Sequence, residues 1–271
     1  MPFNRFKGGK KSPVHKPWHV ALSDHLDRAA TWPPVPAKGW EYAVDPSAWG
    51  MLGNGPDPAN PPQIPDGVGD CGPAGILHLI QGQSANTGNP LTATTAQALA
   101  LYSAVTGFNV NDPNSDQGTV LTDLLTYIQS NGVEMTDATG KTATVEVAGW
   151  ASLDITSSAL LRYAAYTFGG SYLGIQCPQQ CEDDTTNWNF APGLPPAGGH
   201  CIPQEGQGAA GGKIVSWGMV IPCSIGFLSA YLDEGYIVVT KAWLNAQQKS
   251  PTGLDLNGLV AAMAAVKAGT P

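Results

Sequence analysis

Residues 55–67 carry Pro56, Pro58, Pro61, Pro62 and Pro65, and this run limits the fold more than any other feature of the chain. Proline fixes φ and lacks a backbone N–H, so the segment can be neither a helix interior nor a central strand. The texture then reverses. Ala74, Ile76, Leu77, Leu79 and Ile80 make an apolar segment suited to a buried helix. Asp70 is its N-cap candidate, and Pro73 stands near the start, where a missing N–H is not felt. The junction Gly69-Asp70-Cys71-Gly72-Pro73-Ala74 therefore reads as a loop turning into a buried helix.

Glycine (33) and proline (23) fall in blocks rather than at a period, which argues against a repeat architecture and for long loops on a compact body. Apolar spacing predicts a second helix from 94 or 95 to about 105, and a third over about 119–130 stopped by Asn131-Gly132. Beyond Lys141 the pattern turns to strands over 144–148, 170–177, 213–217 and 235–240, with one helix between the first two at 157–168. A last helix is expected over 255–266. A helical half followed by a β-rich half predicts an α+β fold with a cleft between two lobes. The expected organisation is an N-terminal extension over 1–39, a domain over 40–245 with a helical lobe (40–140) and a β-rich lobe (141–245), and a C-terminal helix over 246–271.

A chain of 271 residues with 42% hydrophobic residues can bury one large core or two lobes sharing a cleft. The formal net charge of −8 argues against a nucleic-acid partner, because phosphate binding needs clustered Lys and Arg. Arg5, Lys7, Lys10, Lys11 and Lys16 concentrate the positive charge in a solvated arm. No apolar run spans a bilayer, and Gly8, Gly9, Ser12 and Pro13 stand where a signal peptide would be apolar. No membrane association is expected, and the location read from this is cytoplasmic or virion-associated. Five cysteines leave at least one unpaired; bridges among Cys177, Cys181, Cys201 and Cys223 and a fully reduced set both remain open. His15, His19 and His25 give no zinc spacing with the cysteines, residues 206–212 have no Lys-Ser or Lys-Thr of a phosphate loop, and no metal or cofactor is expected. Oligomeric state is not legible.

A thiol becomes a nucleophile where a helix N-terminus and an imidazole stabilise its thiolate. Cys71 sits at such a terminus, and its macrodipole favours negative charge there. His200 follows Gly198-Gly199 and heads an apolar segment in the β half, so a cleft could bring the two together across the sequence. His78, seven residues after Cys71, falls about 10 Å along the helix, too far for a base, and reads as a core or cleft-wall residue.

The motifs resemble those of the papain-like peptidase superfamily over about 40–244. Gly69-Asp70-Cys71-Gly72-Pro73-Ala74 is similar to its nucleophile motif, above all in bacteriocin-processing peptidases of exporters. Asp116-Gln117-Gly118 is similar to the segment that pairs with bound peptide. Gly199-His200, then Val215-Ser216-Trp217-Gly218, then Gly235-Tyr236, is similar to the succession of His, Asn-Ser-Trp-Gly and Gly-Tyr strands. Trp49 to Asn54, Trp-Gly-Met-Leu-Gly-Asn, also resembles a group of uncharacterised phage and bacterial proteins. The resemblance implies a papain-like two-lobe fold, a cysteine hydrolase acting on peptide or protein substrates, Cys71 and His200 as catalytic pair, and Gln117, Gly118, Gly199 and Trp217 along the substrate path.

Three departures accompany it. Val215 stands where the family has a histidine-orienting Asn, and Ser216 is the nearest substitute. The oxyanion donor is Asn54 with the proline run looped out, or Gln63, with Asn54 favoured. An alternative register puts Ala74 at the nucleophile position. The competing function is accordingly a catalytically inactive papain-like module that binds peptide or builds a virion. Acyl transfer to an amine is a variant of the leading chemistry.

Overall fold

The computed structural model describes residues 9–10, 35–36, 39–42, 49–207 and 211–268. The expected arm and extension therefore lie almost wholly outside the described residues, as do His15, His19 and His25 and the centre of the 206–212 connection.

The segment after the proline run forms α1, Cys71–Ala85. It is buried from Cys71 through Ser84, the polar His78, Gln81, Gln83 and Ser84 included. α2 (Thr95–Thr106) begins at a reciprocal capping box between Thr94 and Gln97 and ends on left-handed Gly107. α3 (Leu121–Asn131) starts two residues later than its sequence signal, because Thr119–Val120 is taken up as strand β3. α4 is Ser158–Phe168, capped by Ser157. Short α5 (Gln180–Asp183) and α6 (Ile225–Tyr231) break up the second half, and α7 (Leu256–Ala268) closes it.

The main sheet runs in the order β10-β9-β8-β7-β11-β6, that is Met219–Ser224, Gly211–Ser216, Pro196–Gln207, Ser171–Pro178, Leu232–Thr240 and Val147–Ser152. Every neighbouring pair along this path is antiparallel. β1 (Gly9–Lys10), β2 (Trp40–Glu41) and β3 complete its nine strands among the described residues. β4 (Val133–Thr136) and β5 (Thr142–Val145) form a separate hairpin.

Alternation along the central strands splits the core in two. Tyr172, Cys201, Tyr236 and Val238 pack with α1 and α3 on one face. Leu173, Ile202, Ile237 and Val239 pack with α4, α6 and α7 on the other. The architecture is α+β, as the sequence pattern predicts. α1 lies directly on β8 and β7: a methyl group built on Gly75 would stand 3.2 Å from the Tyr172 ring and 3.3 Å from the Cys201 sulfur. That close approach sets the start of α1 against the strand that carries His200.

Candidate active site

The proline run loops out as the sequence allows. Val68 donates its backbone N–H to the Gly53 carbonyl (2.8 Å), closing residues 54–67 into an Ω-like loop. Gly67 adopts φ +82°, and a methyl there would fall 2.4 Å from the Gly55 nitrogen, so only glycine lets the ends meet. Asn54 and Cys71 are thereby neighbours in space. Asn54 is 3% exposed, whereas Gln63 is exposed on the loop.

Cys71 is the first residue of α1, and it lines a small cavity together with Asn54, Ala74, His78, His200, Ser216 and Trp217. His200 comes from β8 and is 2% exposed. Its Nε2 lies 2.7 Å from Ser216 Oγ, and its ring stacks on Trp217 (4.8 Å, 22°) with Trp188 edge-on at 6.4 Å. Trp217 and Gly218, at φ +49° and +70°, form the two-residue link between β9 and β10, the pattern of a type I′ hairpin turn. A bulky residue in this conformation is strained. Its indole explains the placement: Nε1 donates to Asn54 Oδ1 at 3.0 Å, while Asn54 Nδ2 donates to the Val68 carbonyl at 3.2 Å. With Oδ1 fixed as acceptor, the amide presents its two N–H bonds on the other side, one to the Val68 carbonyl and one toward the Asp70 carboxyl.

The electrostatics depart from the expectation of an activated thiol. Burial pushes the Cys71 thiol up to about 12, and the charges of Asp70 and Asp116 add to it, while the backbone N–H groups of Cys201 and Gly72 act the other way. Desolvation outweighs the favourable helix terminus. Asp70 also departs from its expected role. It occupies the N-cap position without making a side-chain cap, and burial, then Asp116, raises its carboxyl well above the usual range.

Gln117 and Gly118 do not reach this cavity. Gln117 is exposed and donates to the Asn114 carbonyl, and the Gly118 N–H is given to Tyr102 Oη at 2.8 Å. Gly199 precedes His200 on β8 and does not line the cavity: Gly9 of β1 pairs with Thr119 on one side and with Gly199 on the other, so β1 bridges β3 and β8. His78, read from sequence as a wall residue, is one. Trp188 escaped the sequence reading, since a single aromatic among Thr185, Thr186 and Asn187 carries no periodic signal. All five cysteines are free and buried, with the Cys177 and Cys181 thiols in hydrogen-bond contact. Among the described residues no group of three or more His, Cys, Asp or Glu could hold a metal ion.

Solved structures with the same arrangement of elements are cysteine proteases. Procathepsin B from Trypanosoma congolense superposes with a TM-score of 0.58 at 10% identity, over 88% of this chain and 87% of its own. The fold is papain-like. Xylellain, a cysteine protease from Xylella fastidiosa, gives 0.57 at 9% identity over 88% and 98% of the two chains. The proform of the ragweed pollen cysteine protease Amb a 11 gives 0.56 at 11% identity over 88% and 68%. No family model matches the chain, and no curated protein sequence does. None of these three neighbours supports the phage resemblance.

Proposed function

We propose that the chain is a papain-like cysteine hydrolase that cleaves peptide or peptide-like amide bonds, with Cys71 as nucleophile and His200 as base. The observation that carries this reading is the shared cavity, in which a thiol opening a buried helix and a strand histidine face one space. Ala74 lines it too but has no group that could attack. His200 takes the thiol proton on Nδ1, since Nε2 is engaged by Ser216. Sulfur then attacks the scissile carbonyl, and its oxyanion is met by the Cys71 N–H and Asn54 Nδ2. The proton passes to the leaving amine, and water, deprotonated by His200, hydrolyses the thioester.

In the state described, the site is closed. Cys71 is 1% exposed and His200 2%, and β1 bridges Thr119 and Gly199. The segment before residue 40 acts, on this reading, as an inhibitory extension whose removal opens the cleft. Two of the neighbours are themselves a procathepsin and a proform. The test is alkylation of Cys71 by iodoacetamide at mildly acidic pH, comparing the full chain with one starting at Pro36. Labelling is expected to be at least about tenfold faster in the shorter chain and to collapse in His200→Ala.

The buried, protonated thiol favours a second reading, a non-catalytic peptide-binding module. Slow labelling of both chains, indifferent to His200, would select it.

A further inference from the structure

His78 has no part in the reaction just proposed, yet its ring enters the same cavity from the helix side, while His200 and Ser216 enter from the sheet. The ring is 2% exposed and stacks on Trp49 at 5.7 Å and 21°. The Gly50 carbonyl accepts a hydrogen bond from it, and Nε2 has no hydrogen-bond partner among the described residues. A carbonyl can only accept, so Nδ1 carries the hydrogen and Nε2 is a lone pair. Burial lowers the ring to about 4, which keeps it neutral near pH 7.

Ser216 poses the complementary problem. For His200 to take a proton on Nδ1, its Nε2 must carry hydrogen, and Ser216 Oγ at 2.7 Å must accept it. The hydroxyl then has its own hydrogen to place, in a residue only 3% exposed. The cavity measures about 10 Å³, the lower limit for one water.

We propose that His78 is a positioning residue for His200: the Ser216 hydroxyl donates toward His78 Nε2 through one water, which fixes Ser216 as an acceptor and holds His200 in the Nε2–H tautomer. This rests on the role proposed above for His200, and it supplies the orientation that Val215 cannot. No proton moves along the chain Ser216–water–His78 during the reaction; only the thiol proton moves, to His200 Nδ1. Without the acceptor, the hydroxyl is able to turn and donate to His200, which stabilises the unproductive Nδ1–H tautomer. The titratable groups facing the cavity are Cys71, His78, His200 and Cys201, with Asp70 and Asp116 acting on Cys71 from the start of α1 and from the loop before β3.

The test uses the full chain and its His78→Leu, His78→Gln and Ser216→Ala variants. Long-range ¹H–¹⁵N spectra should show His78 of the unaltered chain protonated at Nδ1 and His200 at Nε2. His78→Leu should shift the His200 tautomer ratio about three- to tenfold toward Nδ1–H and lower its titration midpoint, as Ser216→Ala does. His78→Gln, which keeps an acceptor oxygen near the Nε2 position, should restore both. Hydrogen on Nε2 of His78 in the unaltered chain overturns the proposal without any variant having to fold. Cys71 labelling that depends on His200, but keeps its rate and pH profile in His78→Leu, overturns the positioning role alone. Labelling that ignores His200→Ala overturns the hydrolase reading and the positioning role with it.

Discussion

Trp217 shows how one residue can hold a site. Its positive φ is unfavourable for a bulky side chain, but the turn aims its indole at Asn54 and its ring face at His200. Trp217→Phe keeps an aromatic face and removes the N–H, so the Asn54 amide is no longer oriented. We expect turnover of a cleavable peptide to fall by about 10²-fold, while unfolding stability changes by only about 1 kcal/mol; kinetics and thermal melts on one preparation separate the two. Asp70 acts in the opposite sense, as a carboxyl that opposes the thiolate beside it. Asp70→Asn should lower the Cys71 pKa, which would appear as faster alkylation only at pH values above the raised titration of the Asp70 carboxyl, where that group is charged.

At the level of elements, the site is a meeting of α1, β8, β9 and the loop closed by Gly67. Gly67→Ala places a methyl against the Gly55 backbone in a left-handed conformation. It should destabilise the fold by about 1–3 kcal/mol and displace Asn54, so any residual activity falls more than stability does. The five longer helices were legible because their apolar spacing and caps are local, whereas short α5 and α6 were not. Thr119–Val120 was not, because its two residues become a strand only through pairing with β1. Ser216, the nearest substitute for the Asn that Val215 replaces, was likewise not assignable from sequence, because neighbouring strand residues point to opposite faces. It is the last residue of β9, and its hydroxyl lies 2.7 Å from His200 Nε2.

For the whole molecule, burial of ionisable groups predicts stability lost at both ends of the pH range. His78 titrates near 4 when folded and about 6.5 when unfolded. Its contribution is therefore full above pH 6.5 and lost as pH falls toward 4, an effect of about 3 kcal/mol. Glu205, 2% exposed with neither carboxyl oxygen hydrogen-bonded among the described residues, has its pKa raised well above 4.5 by burial. Its protonated form favours folding, so its contribution is full below about pH 4.5 and declines as pH rises. Glu205→Gln should raise the melting temperature at pH 8 and have little effect at pH 4; an equal shift at both would rule this out. Among the described residues no helix is long and apolar enough to cross a membrane.

The sequence by itself determined the five longer helices, the strands β7, β9 and β11, the α+β class and the residues worth suspecting, because helix periodicity, proline exclusion and the loop-to-helix turn at Cys71 are properties of short stretches of chain. Only the tertiary structure decided that Asn54 rather than Gln63 lies beside the thiol, that Ser216 reaches His200, and that burial works against the thiolate which the helix terminus alone favours. Each of those depends on which distant surfaces exclude water from which groups, and desolvation belongs to the packed whole rather than to any segment.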